Sequence, residues 1–161
     1  MTGTPAMTAA IDRARILQLV PHQGDMCLWD AVDAWDAGSI RLRAATHRDP
    51  AHPLRSGDHL RALHLCEYGA QAMAVHGGLR AAASGGAAPP GMLVALRGVE
   101  LHVERIDTLT GDLECEARVL VEGEGSQQYG FRITHAGTLL AEGRAAVMLR
   151  AAPQSTGESP L

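Results

Sequence analysis

Aromatic side chains are nearly absent: one Phe, two Tyr and two Trp in 161 residues. So sparse a set offers no platform for stacking nucleic-acid bases. Positive charge is also short. Lys and Arg number 14 against 18 Asp and Glu, a formal net charge of −4, and no basic cluster overrides that total. This argues against a nucleic-acid-binding surface. Cysteine is limited to Cys27, Cys66 and Cys115, far apart and odd in number. They fit neither a disulfide framework nor a zinc site and suit a reducing cytoplasm. No apolar run approaches a membrane span, so no membrane insertion is expected. The opening "MTGTPAMTAAIDRARILQLV" has Asp12, Arg13 and Arg15 where a signal peptide needs its apolar stretch. The expectation is a soluble, cytoplasmic, single domain over residues 1–161. With 46% hydrophobic and 20% charged residues it has enough apolar material for a core without disulfides or metal.

Periodicity divides the chain. Residues 1–8 and 152–161 read as disordered tails. "AAIDRARILQLV" reads as a short helix stopped at Pro21. The apolar-rich "MCLWDAVDAWD" leads through the turn signal "AGS" into "IRLRAA", where Ile40 and Leu42 alternate with Arg41 and Arg43. That is a hairpin across residues 36–39. A long, mostly apolar helix follows, with Asp58 as its cap and the pair Gly77-Gly78 as its end. Residues 80–91, "RAAASGGAAPPG", have the composition of a flexible loop. The second half alternates throughout, as in Leu113, Cys115 and Ala117 against Glu114, Glu116 and Arg118, with turn signals at Gly111, Gly123 to Gly125, and Gly137. The sum is an α+β chain of about six strands and one long helix, which an antiparallel sheet burying one face would wrap.

That helix carries one polar stripe. His64, Glu67 and Gln71, at i, i+3 and i+7, share a face. A solvent-facing side is the plainest account of such a stripe. Against it, Leu60, Leu63, Ala70 and Ala74 occupy the same side, and the wrapping sheet would cover it. A carboxyl in apolar surroundings has its pKa raised and can donate a proton near neutral pH. The turn upstream offers His47, His52 and His59, and neutral imidazole is the commonest general base near pH 7. A His/Glu pair suits elimination of water from a β-hydroxy thioester. Free amides at a helix start near Gly57 to Leu60 would polarise the thioester carbonyl. Cys66 points to a different helix face from Glu67. The eight histidines show no metal-ligand spacing.

"LQLVPHQGDMCLWDAV" resembles the "L-x-P-H-R-x-x-x-L-L-D-x-V" opening of the β-hydroxyacyl-ACP dehydratases. "CEYGAQAMAVHGG" resembles their helix motif "E-x-x-A-Q-A". The string "THRDPAHPLRSGDHLRALHLCEYGAQAMAVHGG" is most similar to a divergent, 3-hydroxyacyl-ACP dehydratase-like branch found in aryl polyene and xanthomonadin-type pigment clusters. The resemblance covers roughly residues 15–150 and implies the hotdog fold, with its sheet round a central helix. It implies dehydration of a 3-hydroxyacyl thioester on acyl carrier protein to the trans-2-enoyl thioester. Glu67 takes the place of the catalytic acid. The family's "G-H-F-P-G" histidine loop does not appear; His52 falls within a residue of the matching separation from Glu67, with His47 in reserve. Gln71 matches a glutamine that holds the glutamate, and His64 and Gly57 are expected to support the pocket. Pro21, His22 and Asp30 match the opening motif, whose role is structural rather than catalytic. No metal or diffusible cofactor is implied, because the substrate rides on carrier-protein phosphopantetheine. A homodimer or a heterodimer with another hotdog protein is implied. Two rival expectations stand: an acyl-ACP or acyl-CoA thioesterase, and a non-catalytic subunit stabilising an active dehydratase.

Overall fold

The structure, a computed structural model, describes residues 11–86 and 91–149. Both expected tails, 1–8 and 152–161, lie outside those residues, as do positions 87–90 of the loop expected over 80–91. Strand β1 (Ile11–Asp12) runs directly into helix α1 (Arg13–Leu19), which Asp12 caps by accepting from the Arg15 amide at 3.0 Å. Strands β2 (Ala31–Trp35) and β3 (Ser39–Ala44) form the expected hairpin, its turn held by the Asp36 carboxylate accepting from the Gly38 and Ser39 amides. Helix α2 spans Leu65–Ala83. Strands β4 (Gly91–Leu101), β5 (Leu113–Gly123), β6 (Ser126–His135) and β7 (Thr138–Leu149) follow. The described strands make one seven-stranded sheet in the order β1-β2-β3-β5-β6-β7-β4, every neighbouring pair antiparallel. This is the hotdog plan, with the two-residue β1 as the strand the periodicity did not show.

The sheet wraps α2 because α2 has no continuous solvent face. Tyr68, Gly69, Gln71, Ala72, Met73, Val75, His76, Gly78 and Leu79 are all buried. Two of its glycines are sites of close approach. A Cβ on Gly69 would lie 2.8 Å from the Phe131 ring, and one on Gly78 would lie 2.9 Å from Leu19. Gly78 thus lets α1 pack on α2. Gly77-Gly78 does not end the helix, which runs on to Ala83. The end is a Schellman turn: Gly85, at φ +79°, donates to the Ala82 carbonyl and Gly86 to that of Ala81.

The start of α2 also differs from the expectation. Asp58 is not its cap. Ser56 and His59 exchange backbone bonds across a tight turn with Gly57 at φ +59°. Residues 60–62 then run extended against 104–106: the Leu60 carbonyl accepts from Ile106, and the Ala62 amide donates to Glu104. The Asp107 carboxylate accepts from the Leu60 amide at 2.9 Å, and the Arg105 guanidinium beside it holds its carboxyl well below the usual range. Backbone groups engaged in this way cannot enter the helix, so α2 begins only after a 3₁₀ turn at Ala62–His64. Among the described residues no helix is long and apolar enough to cross a membrane.

Candidate active site

Glu67 lies in the first turn of α2, and three segments meet at it. Gln71, one turn on and buried, joins two of them with both of its amide hydrogens and its oxygen. Its amide nitrogen donates to the Met26 carbonyl at 2.7 Å and to Glu67 Oε1 at 3.1 Å, and its oxygen accepts from the Leu28 amide at 2.9 Å. One side chain therefore fastens the 26–28 segment to α2 and fixes the Glu67 carboxylate. The third segment follows α1. Gln23 caps the end of α1 by donating to the Leu17 and Val20 carbonyls, and this holds the preceding His22 against the helix. His22 Nε2 stands 3.6 Å from Glu67 Oε1. Its Nδ1 is buried without a hydrogen-bond partner. Glu67 keeps 36% of its side chain exposed, so it is not sealed in apolar surroundings as its stripe suggested; it stands at an opening.

That opening leads into a groove of about 1070 Å³ running along α2. His22 and Glu67 line one end, Ala70, Met73, Ala74 and Gly77 the middle, and Arg80, Glu122 and Tyr129 the other end. Opposite the helix lie Trp35 of β2, Leu93 of β4 and Val147 of β7.

The histidines of the upstream turn do not share this groove. His52 is 5% exposed and engaged at both ring nitrogens: Nδ1 accepts from the Leu54 amide at 3.1 Å, and Nε2 pairs with the Tyr68 hydroxyl at 3.1 Å. An Nδ1 that accepts an N–H bond carries no proton, so the proton of the neutral ring sits on Nε2. The bonds continue as Nε2–H to Tyr68, Tyr68 to Thr46, and Thr46 to the Leu28 carbonyl, the last two at 2.7 and 2.6 Å. Burial, with Arg55 adding to it, pushes the His52 pKa down. In this arrangement His52 is a neutral donor that ties the turn to α2. His47 is fully buried, gives Nε2–H to the Leu109 carbonyl at 2.9 Å, and is also pushed down by burial. His64 sits in the 3₁₀ turn ahead of α2, half-buried and not on the groove. Gly57 lies in the exposed turn, eight residues before the first residue of α2, so the expected helix-start amides for a thioester carbonyl are not there.

Of the residues read from sequence, the structure brings Glu67 and Gln71 together and leaves His47, His52, His64 and Gly57 apart from them. The residue underrated was His22. Its signal was the opening motif itself, which folds back onto the helix motif. Burial pushes the Cys66 thiol up, which works against a thiolate there. Among the described residues one trio, Glu100, His102 and Glu142, gathers potential metal ligands within 4.8 Å; it lies where the end of β4 meets β7 and lines no part of the groove.

Sequence comparison settles the family. The family of ApeP dehydratases, described as ApeP-like, matches residues 14–157. The chain belongs to the ApeP-like dehydratase family. Among curated proteins none matches by sequence. Solved structures agree on the fold. The dehydratase heterocomplex ApeI:P from Xenorhabdus doucetiae superposes at a TM-score of 0.76 and 23% identity, covering 84% of this chain and 91% of that one. A hypothetical thioesterase with coenzyme A from Streptococcus pneumoniae superposes at 0.55 and 9% identity, covering 74% and 84%. The PaaI protein of the Escherichia coli phenylacetic acid degradation operon follows at 0.53 and 15%, covering 73% and 80%. At these identities the likeness speaks for the hotdog fold of this ApeP-like chain and not for its substrate.

Proposed function

We propose that this protein dehydrates a 3-hydroxyacyl thioester, delivered on the phosphopantetheine of acyl carrier protein, to the trans-2-enoyl thioester in polyene or fatty-acid-like biosynthesis. The observation that carries the reading is the Gln71–Glu67–His22 cluster at the mouth of an apolar groove, in a chain of a dehydratase family. His22 Nε2 takes the α-proton. The Cα electron pair forms the double bond, the C–O bond breaks, and protonated Glu67 gives its proton to the departing hydroxyl, which leaves as water. Glu67, now a carboxylate, recovers a proton from His22 across their 3.6 Å gap, which resets the pair. Gln71 leaves Glu67 Oε2 free for the substrate by holding Oε1. At 3.6 Å the two groups stand just beyond a direct hydrogen bond, too close for anything to sit between them, so the substrate meets both from the groove side and the pair tightens for the proton return.

The test is mass spectrometry of a 3-hydroxyacyl carrier protein incubated with the protein. Loss of water supports the reading, and release of free acid marks a thioesterase instead. Glu67→Gln and His22→Asn are each expected to lower kcat by about a hundredfold or more. Retention of full activity by either would remove that residue from the mechanism.

A second hotdog chain, the same or a relative, is part of the proposal. β4 is the long edge strand of the sheet, and Met92, Leu93, Val94 and Leu96 on it are exposed. Such an edge invites pairing with another strand. Val94→Lys is expected to shift the assembly to monomer in sedimentation, and an unchanged profile would place the interface elsewhere.

A further inference from the structure

The groove has a feature that neither packing nor helix formation requires. Its floor is one face of α2, and from Glu67 onward that face reads Ala70, Ala74, Gly77, Ala81 and Ser84. Gly77 is the anomaly. Glycine in a helix interior is disfavoured relative to alanine, and the neighbouring glycines have contacts to justify them, Gly69 against Phe131 and Gly78 against Leu19. A Cβ on Gly77 would meet nothing within 4 Å. No protein group needs that space, and the space belongs to the groove.

Beyond Gly77 the groove changes character. Arg80 Nη1 lies 2.7 Å from Glu122 Oε1, which also accepts from Gln127 at 3.0 Å. Tyr129 donates to His76 Nδ1 at 2.7 Å, while His76 gives Nε2–H to the Asp36 carbonyl. Arg80, Glu122, Gln127 and Tyr129 thus place polar groups on the lining of an otherwise apolar channel, with His76 buried behind Tyr129. At the helical rise, Gly77 is about 15 Å and Arg80 about 20 Å from Glu67.

We infer that Gly77 is a specificity-determining residue, which keeps the groove open for the distal part of a long acyl chain, and that the Arg80–Glu122 pair marks where that chain must stop. The inference rests on the proposed reaction for placing the thioester at Glu67. Short acyl groups end before Gly77, and a chain of hexadecanoyl length passes over it.

The experiment compares wild type, Gly77→Leu and Gly77→Ala on 3-hydroxybutyryl, 3-hydroxydecanoyl and 3-hydroxyhexadecanoyl thioesters of pantetheine. Binding is read by calorimetry and turnover by loss of water. Gly77→Leu is expected to lower the hexadecanoyl-to-butyryl ratio of both affinity and kcat/KM by at least about tenfold, the loss when even two methylenes are kept out of an apolar groove. Gly77→Ala adds one atom in open space and shows the same direction more weakly, which covers the case in which the leucine variant fails to fold. An unchanged ratio in a folded variant overturns the inference, as does absence of acyl binding by wild type. Long-chain binding that the leucine variant loses, with no dehydration by wild type, sustains the inference and overturns the proposed reaction instead.

Discussion

Histidine is the residue whose meaning depends most on its surroundings here. His52 and His22 differ in what their nitrogens can do. With Nδ1 accepting from Leu54 and Nε2–H facing Tyr68, His52 has no lone pair to offer a substrate. His22 has a half-exposed ring at the groove mouth beside Glu67. The consequence is a split in phenotype. His52→Ala should leave the Leu54 amide and the Tyr68 hydroxyl short of a buried partner, costing about 1–3 kcal/mol of stability in chemical denaturation, with kcat/KM unchanged. A loss of turnover with unchanged stability would restore His52 to the chemistry. Sequence points to His52 as the base because its separation from Glu67 falls within a residue of the family's. Separation along a chain says nothing about which nitrogen is protonated. That depends on Leu54, Tyr68 and Thr46, which the fold brings together.

At the scale of elements, α2 is the piece whose character was plainest and whose boundaries were not. Its long apolar run could only be a central helix under a sheet. Yet Asp58 as cap and Gly77-Gly78 as terminator were both reasonable local readings that tertiary contacts overrode. Pairing of 60–62 with 104–106 delays the helix start, and packing of α1 explains Gly78. Two glycines on one helix then carry opposite expectations. Gly69→Ala should destabilise by about 1–3 kcal/mol, because its Cβ would meet the Phe131 ring at 2.8 Å, and Phe131→Leu should return part of that. Gly77→Ala should stabilise by up to about 1 kcal/mol, since the new Cβ meets nothing and alanine favours the helix. Thermal unfolding of the two variants checks both signs, and equal shifts would show that the groove and the packed face are not distinct.

For the molecule as a whole, three histidines buried inside the wrap link stability to pH. His47, His52 and His76 are each held below the ordinary imidazole pKa, chiefly by burial. A buried base of lowered pKa binds fewer protons folded than unfolded. Stability from these groups is therefore fully present above the ordinary value of 6.5 and is lost progressively as pH falls below it. Urea midpoints measured from pH 8 down to pH 5 should fall only across the lower part of that range. A midpoint flat through pH 6 would mean that these rings are protonated as readily folded as unfolded. Such a loss would act on the entire sheet-and-helix unit, because the three rings fasten it at separate places: His52 joins the upstream turn to Tyr68 of α2, His47 joins that turn to Leu109, and His76 of α2 joins Tyr129 of β6 and Asp36.

By itself the sequence determined the α+β architecture, the hairpin, the strand-rich second half, the central apolar helix and Glu67 with Gln71 on one face of it. These follow from periods of two and 3.6 residues and from side chains a turn apart, which are local properties of the chain. The tertiary structure alone decided where α2 begins and ends, which glycines are packed and which is open, and which histidine meets the carboxylate. Each of those depends on groups distant in sequence arriving at one place: Leu60 at Ile106, Gly78 at Leu19, and His22 at Glu67. Nothing in a local pattern encodes such a meeting, because it is set by how the sheet closes over the helix and by which buried hydrogen bonds that closure must satisfy.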